Sequence, residues 1–412
     1  MNRFGVLALV FISVVINYMD RTNISVASGA LSAELNLSSV QMGLIFSAFG
    51  WTYSILQIPG GIAVDLIRVR LLYPFILFAW SLVTLVQGLV SSFAALIGCR
   101  MAIGVFEAPS YPCNNKIVTQ WFPEQQRAGA IAVYTSGQFI GLAFLMPFLT
   151  YIQSVFGWRG LFIISGVIGM VWAFIWYWLY RDPETPAEEK HIQRYSGADL
   201  WAALTHPKLM GIYLAQFCLG GTLIFFLTWF PTYLVEYRGL DFIKSGWLAS
   251  VPFLAAFAGV LLSGFVSDAL ARRGYSVELA RKAPVVLGLL LSGAIVGANY
   301  TEDTAWVIAF LSIAFFGNGL ASIAWVFVSL LAPARFLGLV GGCFNFIGGL
   351  SAVVVPTVIG FLVTDGDFKP ALLFIALLAL VGSCSYLFIV GRIEKVSFSA
   401  ATTTDFSEVK AG

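Results

Sequence analysis

The chain has 412 residues, of which 59% are apolar and only 11% are charged, and its formal net charge is +2. Because soluble domains carry about 25% charged residues, this composition excludes a soluble globular protein and predicts an all-α polytopic membrane protein in contact with lipid. So small a net charge gives no indication of a nucleic-acid partner, and we expect none.

Six apolar segments precede the longest polar stretch of the chain. A spanning helix needs about 20 mostly apolar residues, and turns and charges divide residues 1–180 into segments of about that length. We predict a six-helix bundle with helices near 4–30, 40–65, 71–91, 94–118, 127–153 and 159–180. Residues 181–208 are then a charged cytoplasmic linker.

Six further apolar segments follow the linker and make residues 209–391 a second six-helix bundle. We predict these helices near 209–235, 242–268, 281–300, 304–331, 335–363 and 369–391. Residues 392–412 are polar and are interpreted as a cytoplasmic tail. The sequence therefore predicts twelve transmembrane helices in two halves.

The positive charges test this layout, because cytoplasmic loops of membrane proteins are rich in lysine and arginine. With twelve helices and both termini in the cytoplasm, only four of the 23 lysines and arginines fall in outer loops: Arg159, Arg238, Lys244 and Lys369. Both termini are therefore predicted to be cytoplasmic.

The two halves also resemble each other in sequence. The second helix of the first half ends in small residues followed by Asp65, Arg68 and Arg70, and its counterpart ends in Asp268 and two arginines. A repeated six-helix unit is typical of transporters with a substrate site at the repeat interface near the midplane. The alternative is two unrelated loops that share only the charge bias.

Asp20 and Arg21 lie about midway through the first predicted helix. Each charge there costs about 2.5 to 3.5 kcal/mol on insertion scales, so such charges face a bundle interior or a watery cavity and mark a transport pathway. Arg21 is the better candidate to bind an anionic substrate, since its planar fork binds a carboxylate bidentately. Asp20 is then free to take a proton. The alternative is an ion pair that only locks two helices.

Arg100 and Glu107 lie on one face of the fourth predicted helix, roughly 10 Å apart along its axis. We expect a direct or bridged pair between them. Pro109 and Pro112 follow and should break or kink the helix beside Glu107. Burial favours a protonated carboxyl whereas a nearby arginine favours the ionised form, which suits a proton carrier. A fixed structural ion pair is the alternative.

Uncharged polar residues in the middle of apolar helices could complete a site contributed by both halves. We interpret them as candidates to orient a polyol, although such residues often only bond another helix. They are Tyr18, Tyr53, Gln138, Gln216, Ser322, Trp325 and Asn345.

The sequence contains no motif that would indicate an enzyme. It lacks the phosphate-binding loop of ATPases, the HExxH motif of zinc proteases and the GxSxG motif of serine hydrolases. It has two histidines, both in the predicted linker, and five cysteines without a CxxC pair. We therefore expect no enzyme activity, no cofactor and no metal site.

Several motifs resemble the anion:cation symporter group of the major facilitator superfamily, and most closely its bacterial sugar-acid permeases for galactonate, glucarate/galactarate and hexuronates. The resemblance covers nearly the whole chain. The motifs are Asn17–Thr22, Phe46–Tyr53, Gln57–Gly61, Gly104–Pro109, Thr228–Leu234, Arg281–Pro284 and Gly341–Asn345.

The resemblance implies proton-coupled symport of a sugar acid by alternating access in the bacterial inner membrane, with a monomeric protein that has the organic anion and protons as its partners. It implies proton sites at Asp20 and Glu107, the latter exchanging with Arg100. The substrate contacts that it implies are Tyr18, Arg21, Tyr53, Gln138, Gln216, Ser322, Trp325 and Asn345.

One departure from the family pattern concerns the cytoplasmic gate. The loop after the second helix keeps Asp65 and Arg70 but has Leu66 where the superfamily has arginine. If Glu107 occupies Arg100, only Arg21 remains for substrate charge, which favours a monocarboxylate over an aldarate. The alternatives are a transporter or exchanger of another organic anion, and a membrane sensor that binds ligand without transporting it.

Overall fold

The computed structural model describes residues 2–183, 196–333, 336–363 and 367–396, and the regular elements in these ranges are helices. Short side chains cap several of them. Ser38, for example, accepts a hydrogen bond from the backbone of Gln41, whose side chain bonds back to Ser38, and such a capping box satisfies two backbone N–H groups. The first half contains α1 (Arg3–Leu35), α2 (Ser39–Ile55), α3 (Gln57–Leu66), α4 (Val69–Gln87), α5 (Phe93–Glu107), α6 (Ser110–Trp121) and α7 (Glu124–Leu179).

Ten further α-helices follow, with short 3-10 segments at Gly293–Tyr300 and Ser322–Trp325 and π-helical turns at Tyr233–Tyr237 and Ser385–Ile389. The α-helices are α8 (Gly197–Thr205), α9 (Pro207–Thr228), α10 (Phe230–Thr232), α11 (Phe242–Arg272), α12 (Val277–Ser292), α13 (Thr304–Ala321), α14 (Val326–Leu331), α15 (Leu337–Gly349), α16 (Ser351–Leu362) and α17 (Lys369–Cys384).

Ten helical segments of the described ranges are long and apolar enough to cross a membrane. One of them is folded back on itself, because Gly157 has φ 69° and ψ 177° and divides α7 into a first arm (124–156) and a second arm (158–179). The predicted second span is present as α2 and α3, which are interrupted at Leu56. Twelve spans follow when the two arms are counted separately and α2 and α3 are counted as one.

The break predicted beside Glu107 is confirmed. Helix α5 ends at Glu107, and α6 begins at Ser110, directly after Pro109. Proline removes a backbone N–H and its ring clashes with the preceding turn. The carboxylate therefore lies at the end of a helix, beside irregular backbone.

The halves meet through α2 against α16 and through the first arm of α7 against α11. Glycine permits this close approach, since a Cβ atom on Gly43 would lie 2.6 Å from the carbonyl oxygen of Pro356. Four hydrogen bonds between described residues join the halves: Ser28 with Thr232 at 2.6 Å, Ser39 with Val363 at 2.9 Å, Ser47 with Thr357 at 3.0 Å and Ala143 with Ser250 at 2.6 Å.

The first three of these bonds lie toward the end of the bundle at which α1 finishes, α2 begins and Gly157 lies, which we name the closed end, and the Ala143–Ser250 bond lies nearer the middle. Aromatic rings from both halves also pack against each other between the closed end and the middle of the bundle. Phe46 packs edge-on against Trp229 at 5.2 Å, and Phe139 packs against Phe315 at 5.9 Å. The two halves thus meet from the middle of the bundle to the closed end.

The domain boundaries drawn from the sequence stay predictions. Residues 184–195 of the predicted linker and 397–412 of the predicted tail lie outside the described residues. The rest of the linker contains α8, which is tied to the second half because Tyr213 donates a hydrogen bond to the carbonyl oxygen of Ala203 at 3.3 Å.

Candidate functional site

Arg21 and Glu107 form an ion pair in the middle of the first half. Arg21 Nε lies 2.9 Å from Glu107 Oε2, and the two side chains are 13% and 0% exposed. A direct pair between Arg100 and Glu107 does not form in this conformation, in which Glu107 pairs with Arg21 instead. An arginine on a facing helix reaches the carboxylate directly, whereas Arg100 lies two turns away on the same helix.

Three aromatic rings surround the Arg21 guanidinium. Its central carbon lies 4.5 Å from the ring centre of Tyr53, 4.9 Å from that of Phe49 and 5.1 Å from that of Tyr18. Each contact of this kind contributes about 0.5 to 2 kcal/mol, depending on desolvation. The rings hold the guanidinium in place without neutralising it, so its charge remains available to an anion.

Tyr18 also connects this pair to the first arm of α7. Its hydroxyl donates a hydrogen bond of 2.8 Å to Gln138 Oε1 and lies 3.5 Å from the hydroxyl of Tyr111. The sequence-predicted residues Tyr18, Arg21, Tyr53, Glu107 and Gln138 are thus brought together.

Asp20 lies on another face of α1 and is fully buried. Trp80 Nε1 donates a hydrogen bond of 3.0 Å to Asp20 Oδ2. Arg100 lies beside the same residue, but its Nη1 donates to the main-chain oxygen of Asp20 at 3.4 Å, and its guanidinium stacks over Phe49 at 5.3 Å. Arg100 makes no ion pair with a carboxylate of the described residues.

The ion pair leaves polar atoms unused. Among the described residues, Arg21 Nη2 and Glu107 Oε1 are both buried and have no hydrogen-bond partner. An unpaired guanidinium N–H beside aromatic rings is what a carboxylate ligand needs to form a bidentate contact. The geometry therefore suits reversible binding of an anion better than a saturated structural ion pair.

Among the described residues, no hydrogen bond, ion pair or cation–π contact joins the predicted residues of the second half to Arg21. Gln216 packs against Gly348, where an added Cβ atom would lie 2.6 Å from its Cγ. Trp325 is 49% exposed and packs edge-on against Phe344 at 4.9 Å, and Asn345 is exposed next to that ring. Ser322 begins the 3-10 segment that ends at Trp325. The contacts of Gln216 and Trp325 are thus within the second half.

Sequence reasoning missed three neighbours of the site: Trp80, Phe49 and Tyr111. Phe49 carried a usable signal, since it lies one helical turn before Tyr53 and must share its face. Trp80 had no such signal in the sequence, because an aromatic residue in an apolar helix is ordinarily a packing residue.

In the predicted cytoplasmic gate, Arg70 stacks over Tyr177 at 5.8 Å, while the Asp65 side chain lies outside the described part of the chain.

Comparison with curated proteins finds similar chains that are named as transporters. The chain is 45% identical over 418 residues to a D-galactonate transporter of Escherichia coli, covering 96% of this chain and 97% of that protein. It is 39% identical to a probable galactarate/D-glucarate transporter of Escherichia coli, covering 96% of each chain. It is also 31% identical to a hexuronate transporter of Bacillus subtilis, covering 94% of each.

Solved structures share the fold at low sequence identity. A bacterial homologue of the human lysosomal transporter Spinster, crystallised in an inward-facing and occupied conformation, matches with a TM-score of 0.76 at 18% identity over 95% of this chain and 97% of that one. The nucleoside transporter NupG matches with a TM-score of 0.71 at 14% identity over 95% of this chain and 100% of that one. The Major Facilitator Superfamily model matches residues 10–356. This multi-pass membrane protein therefore belongs to the Major Facilitator Superfamily, as its motifs predicted, and is similar to the sugar-acid permeases of that family.

Proposed function

We propose that the protein imports a sugar-acid anion together with protons across the bacterial inner membrane by alternating access. The observation that carries the proposal is the Arg21–Glu107 ion pair at 2.9 Å, held among aromatic rings with one donor of Arg21 unused. The names of the relatives, which include galactonate, galactarate/glucarate and hexuronate transporters, support the substrate class.

Competition for Arg21 couples the proton to the substrate. When Glu107 is ionised, it binds Arg21. Removing one partner of such a buried ion pair leaves an uncompensated charge, which costs about 3 to 5 kcal/mol. When Glu107 takes a proton, it no longer needs a cation, and Arg21 can bind the substrate carboxylate bidentately instead. Each state then has one anion on Arg21, so the substrate binds with a proton.

Asp20 is the second proposed proton site. It is fully buried against Trp80, and its main-chain oxygen accepts from Arg100. A carboxylate in this position is costly to ionise without a partner, so Asp20 takes up a proton in one conformation and releases it where water or Arg100 can stabilise its charge. Arg100 is thereby the proposed alternative cation for both Asp20 and Glu107 in the conformations in which they are ionised.

The two halves supply the conformational change. With cytoplasmic termini, the closed end faces outward, and the halves are held together by the aromatic contacts Phe46–Trp229 near that end and Phe139–Phe315 near the middle. Rocking of the halves would break these contacts and close the opposite end. The polar residues Gln216, Ser322, Trp325 and Asn345 of the second half orient the hydroxyl groups of the sugar acid once the halves enclose it.

The charges favour a monocarboxylate, an aldonate or a hexuronate. Arg21 keeps 13% of its side chain exposed, whereas Arg100 is 2% exposed and stacked on Phe49. One accessible arginine neutralises one carboxylate, and a second buried charge without a partner would lower affinity by several kcal/mol. We propose that a monomer is the transporting unit.

Uptake into proteoliposomes with an imposed pH gradient tests the proposal, using a panel of labelled aldonates, hexuronates and aldarates. Accumulation of one compound that a protonophore abolishes supports symport and identifies the substrate. Counterflow without gradient-driven accumulation would instead indicate an exchanger. Saturable binding without any flux would indicate a membrane sensor, and neither binding nor flux across the panel would exclude a sugar-acid substrate.

A further inference from the structure

A group of buried polar side chains lies behind Asp20, away from the ion pair. Each side chain is 0% exposed, and each has a polar atom that finds no hydrogen-bond partner among the described residues. They come from α1, α4 and the second arm of α7. The atoms are Asp20 Oδ1, the Asn23 amide, Ser81 Oγ, Thr84 Oγ1, the Gln87 amide and Ser165 Oγ.

The bond from Trp80 to Asp20 sets the register between α4 and α1. Thr84 and Gln87 lie four and seven residues after Trp80, so they share the face of α4 that turns toward Asp20. The Thr84 hydroxyl itself faces the Asp20 carboxyl. Asn23 lies one turn after Asp20 on the same side of α1. The polar atoms therefore follow one line from Asp20 toward the closed end.

The second arm of α7 completes the line. Trp172 donates a hydrogen bond of 2.8 Å to Ser13 on α1. Ser165 lies seven residues before Trp172 and faces α1 as well, and because the arm runs antiparallel to α1, it stands at the level of Asp20. Gly169 lies one turn after Ser165 on the same face and brings this face close to α4 as well, since a Cβ atom on Gly169 would lie 2.0 Å from Ser81 Oγ.

The line reaches the surface at a polar cluster. Gln87 is the last residue of α4, and the carbonyl oxygen of the next residue, Gly88, accepts a hydrogen bond of 3.2 Å from Arg159. Arg159 also pairs with Glu34 at 2.8 Å, and these two side chains are 36% and 48% exposed. Gln87 is thus followed in the chain by a residue that Arg159 binds, and Arg159 in turn binds the exposed carboxylate of Glu34.

Unsatisfied buried polar groups cost about 1 to 3 kcal/mol each, so several of them in one line require partners. Bound water supplies such partners in protein interiors, with about three hydrogen bonds per molecule. We propose that Asn23, Thr84, Gln87 and Ser165 hold a chain of water that conducts protons between the closed-end surface at Glu34 and Asp20. This polar track is separate from the substrate cavity, and it gives Asp20 a route to the outer side while the halves are closed there.

This inference deepens the proposed proton coupling and rests on it. The charged groups that face Asp20 are Arg100 and Glu107, both from α5, and the described residues of α4 and of the second arm of α7 offer it only uncharged partners. A proton on the track therefore meets no competing acid before Asp20.

Thr84→Val and Gln87→Met test the track, because both substitutions keep the size of the side chain and remove its hydrogen bonds. Thr222→Val is the matched control, since Thr222 is also 0% exposed with an unpartnered hydroxyl but lies on α9 in the other half. The first readout is the Asp20 carboxyl band in time-resolved infrared spectra after a pH jump outside proteoliposomes, with Asp20→Asn to identify the band.

We expect the band to respond at least about tenfold more slowly in the two track variants, which corresponds to about 1.4 kcal/mol of added barrier, and at the wild-type rate in Thr222→Val. Gradient-driven uptake should slow in parallel, while counterflow at equal pH and equilibrium substrate affinity stay within twofold of wild type. An unchanged rate in both track variants would overturn the inference. A wild-type protein whose Asp20 band responds but which never accumulates substrate would overturn the proposed function and leave the track supported.

Discussion

Arg21 on α1 and Glu107 at the end of α5 are joined at 2.9 Å, and each retains one buried polar atom without a partner among the described residues. The pair is therefore incomplete on both sides. An ion pair whose polar atoms all had partners would have only a structural role. In this pair, Arg21 Nη2 can bind a further anion and Glu107 Oε1 can take a proton.

Removing the charge of Glu107 should uncouple transport. In Glu107→Gln the carboxamide no longer competes for Arg21, so substrate binding persists but the proton is not carried. We expect gradient-driven accumulation to be lost and counterflow to remain, both measured with labelled substrate in proteoliposomes. Glu302→Gln is the control, because Glu302 is 95% exposed in a loose pair with Arg238 at 3.7 Å. Uphill uptake by Glu107→Gln at the wild-type level would remove Glu107 from the mechanism.

Arg21→Lys keeps the charge but should weaken substrate binding. Lysine cannot form the bidentate contact and stacks less well on Tyr18, Phe49 and Tyr53. A loss of about 2 to 3 kcal/mol for a charge-assisted hydrogen bond corresponds to a rise in Kd of roughly 30-fold to 150-fold, measured by calorimetry. The same exchange at the peripheral Arg238 should leave Kd unchanged, and equal effects at both positions would contradict the assignment.

Tyr18→Phe tests the link to the first arm of α7. The ring stays beside Arg21, but the hydrogen bond to Gln138 is lost, which leaves a buried amide unpaired at a cost of about 1 to 3 kcal/mol. We expect the KM for uptake to rise about 5-fold to 150-fold, as that cost implies if it falls on the bound state. Tyr73→Phe is the matched control, since Tyr73 is 1% exposed and bonds Asn114 at 2.8 Å away from the site. A KM shift of the same size in Tyr73→Phe would show that the effect is not specific to the Tyr18–Gln138 hydrogen bond, and it would contradict the assignment.

Gly43→Ala should open the closed end. The added Cβ atom would meet the Pro356 carbonyl oxygen at 2.6 Å, so α2 and α16 must separate. Because Gly98→Ala meets nothing within 4 Å, it serves as the control. We expect a cysteine at Ser47, on the interface, to react faster with an impermeant thiol reagent added from the closed end in Gly43→Ala than in Gly98→Ala. Identical reaction rates would mean that this interface does not govern closure.

The sequence by itself determined the chain's class and its chemical inventory. A composition with 11% charged residues allows only a lipid-embedded helical protein. Charges are so costly in a bilayer that Asp20, Arg21, Arg100 and Glu107 could be recognised as functional candidates from depth alone. The break at Pro109 was predictable as well, because the effect of proline on a helix is local.

Only the tertiary structure decided which of these groups meet. Arg100 and Glu107 share a helix face, yet two turns separate them by roughly 10 Å, while the arrangement of helices in the first half brings the long side chain of Arg21 on α1 to 2.9 Å from Glu107 on α5. The hydrogen-bond partner of Asp20 could not be predicted from the sequence either, since Trp80 lies 60 residues away along the chain. Spacing along the chain fixes the face on which a side chain lies, but its partner depends on how helices pack, and that is a property of the whole fold.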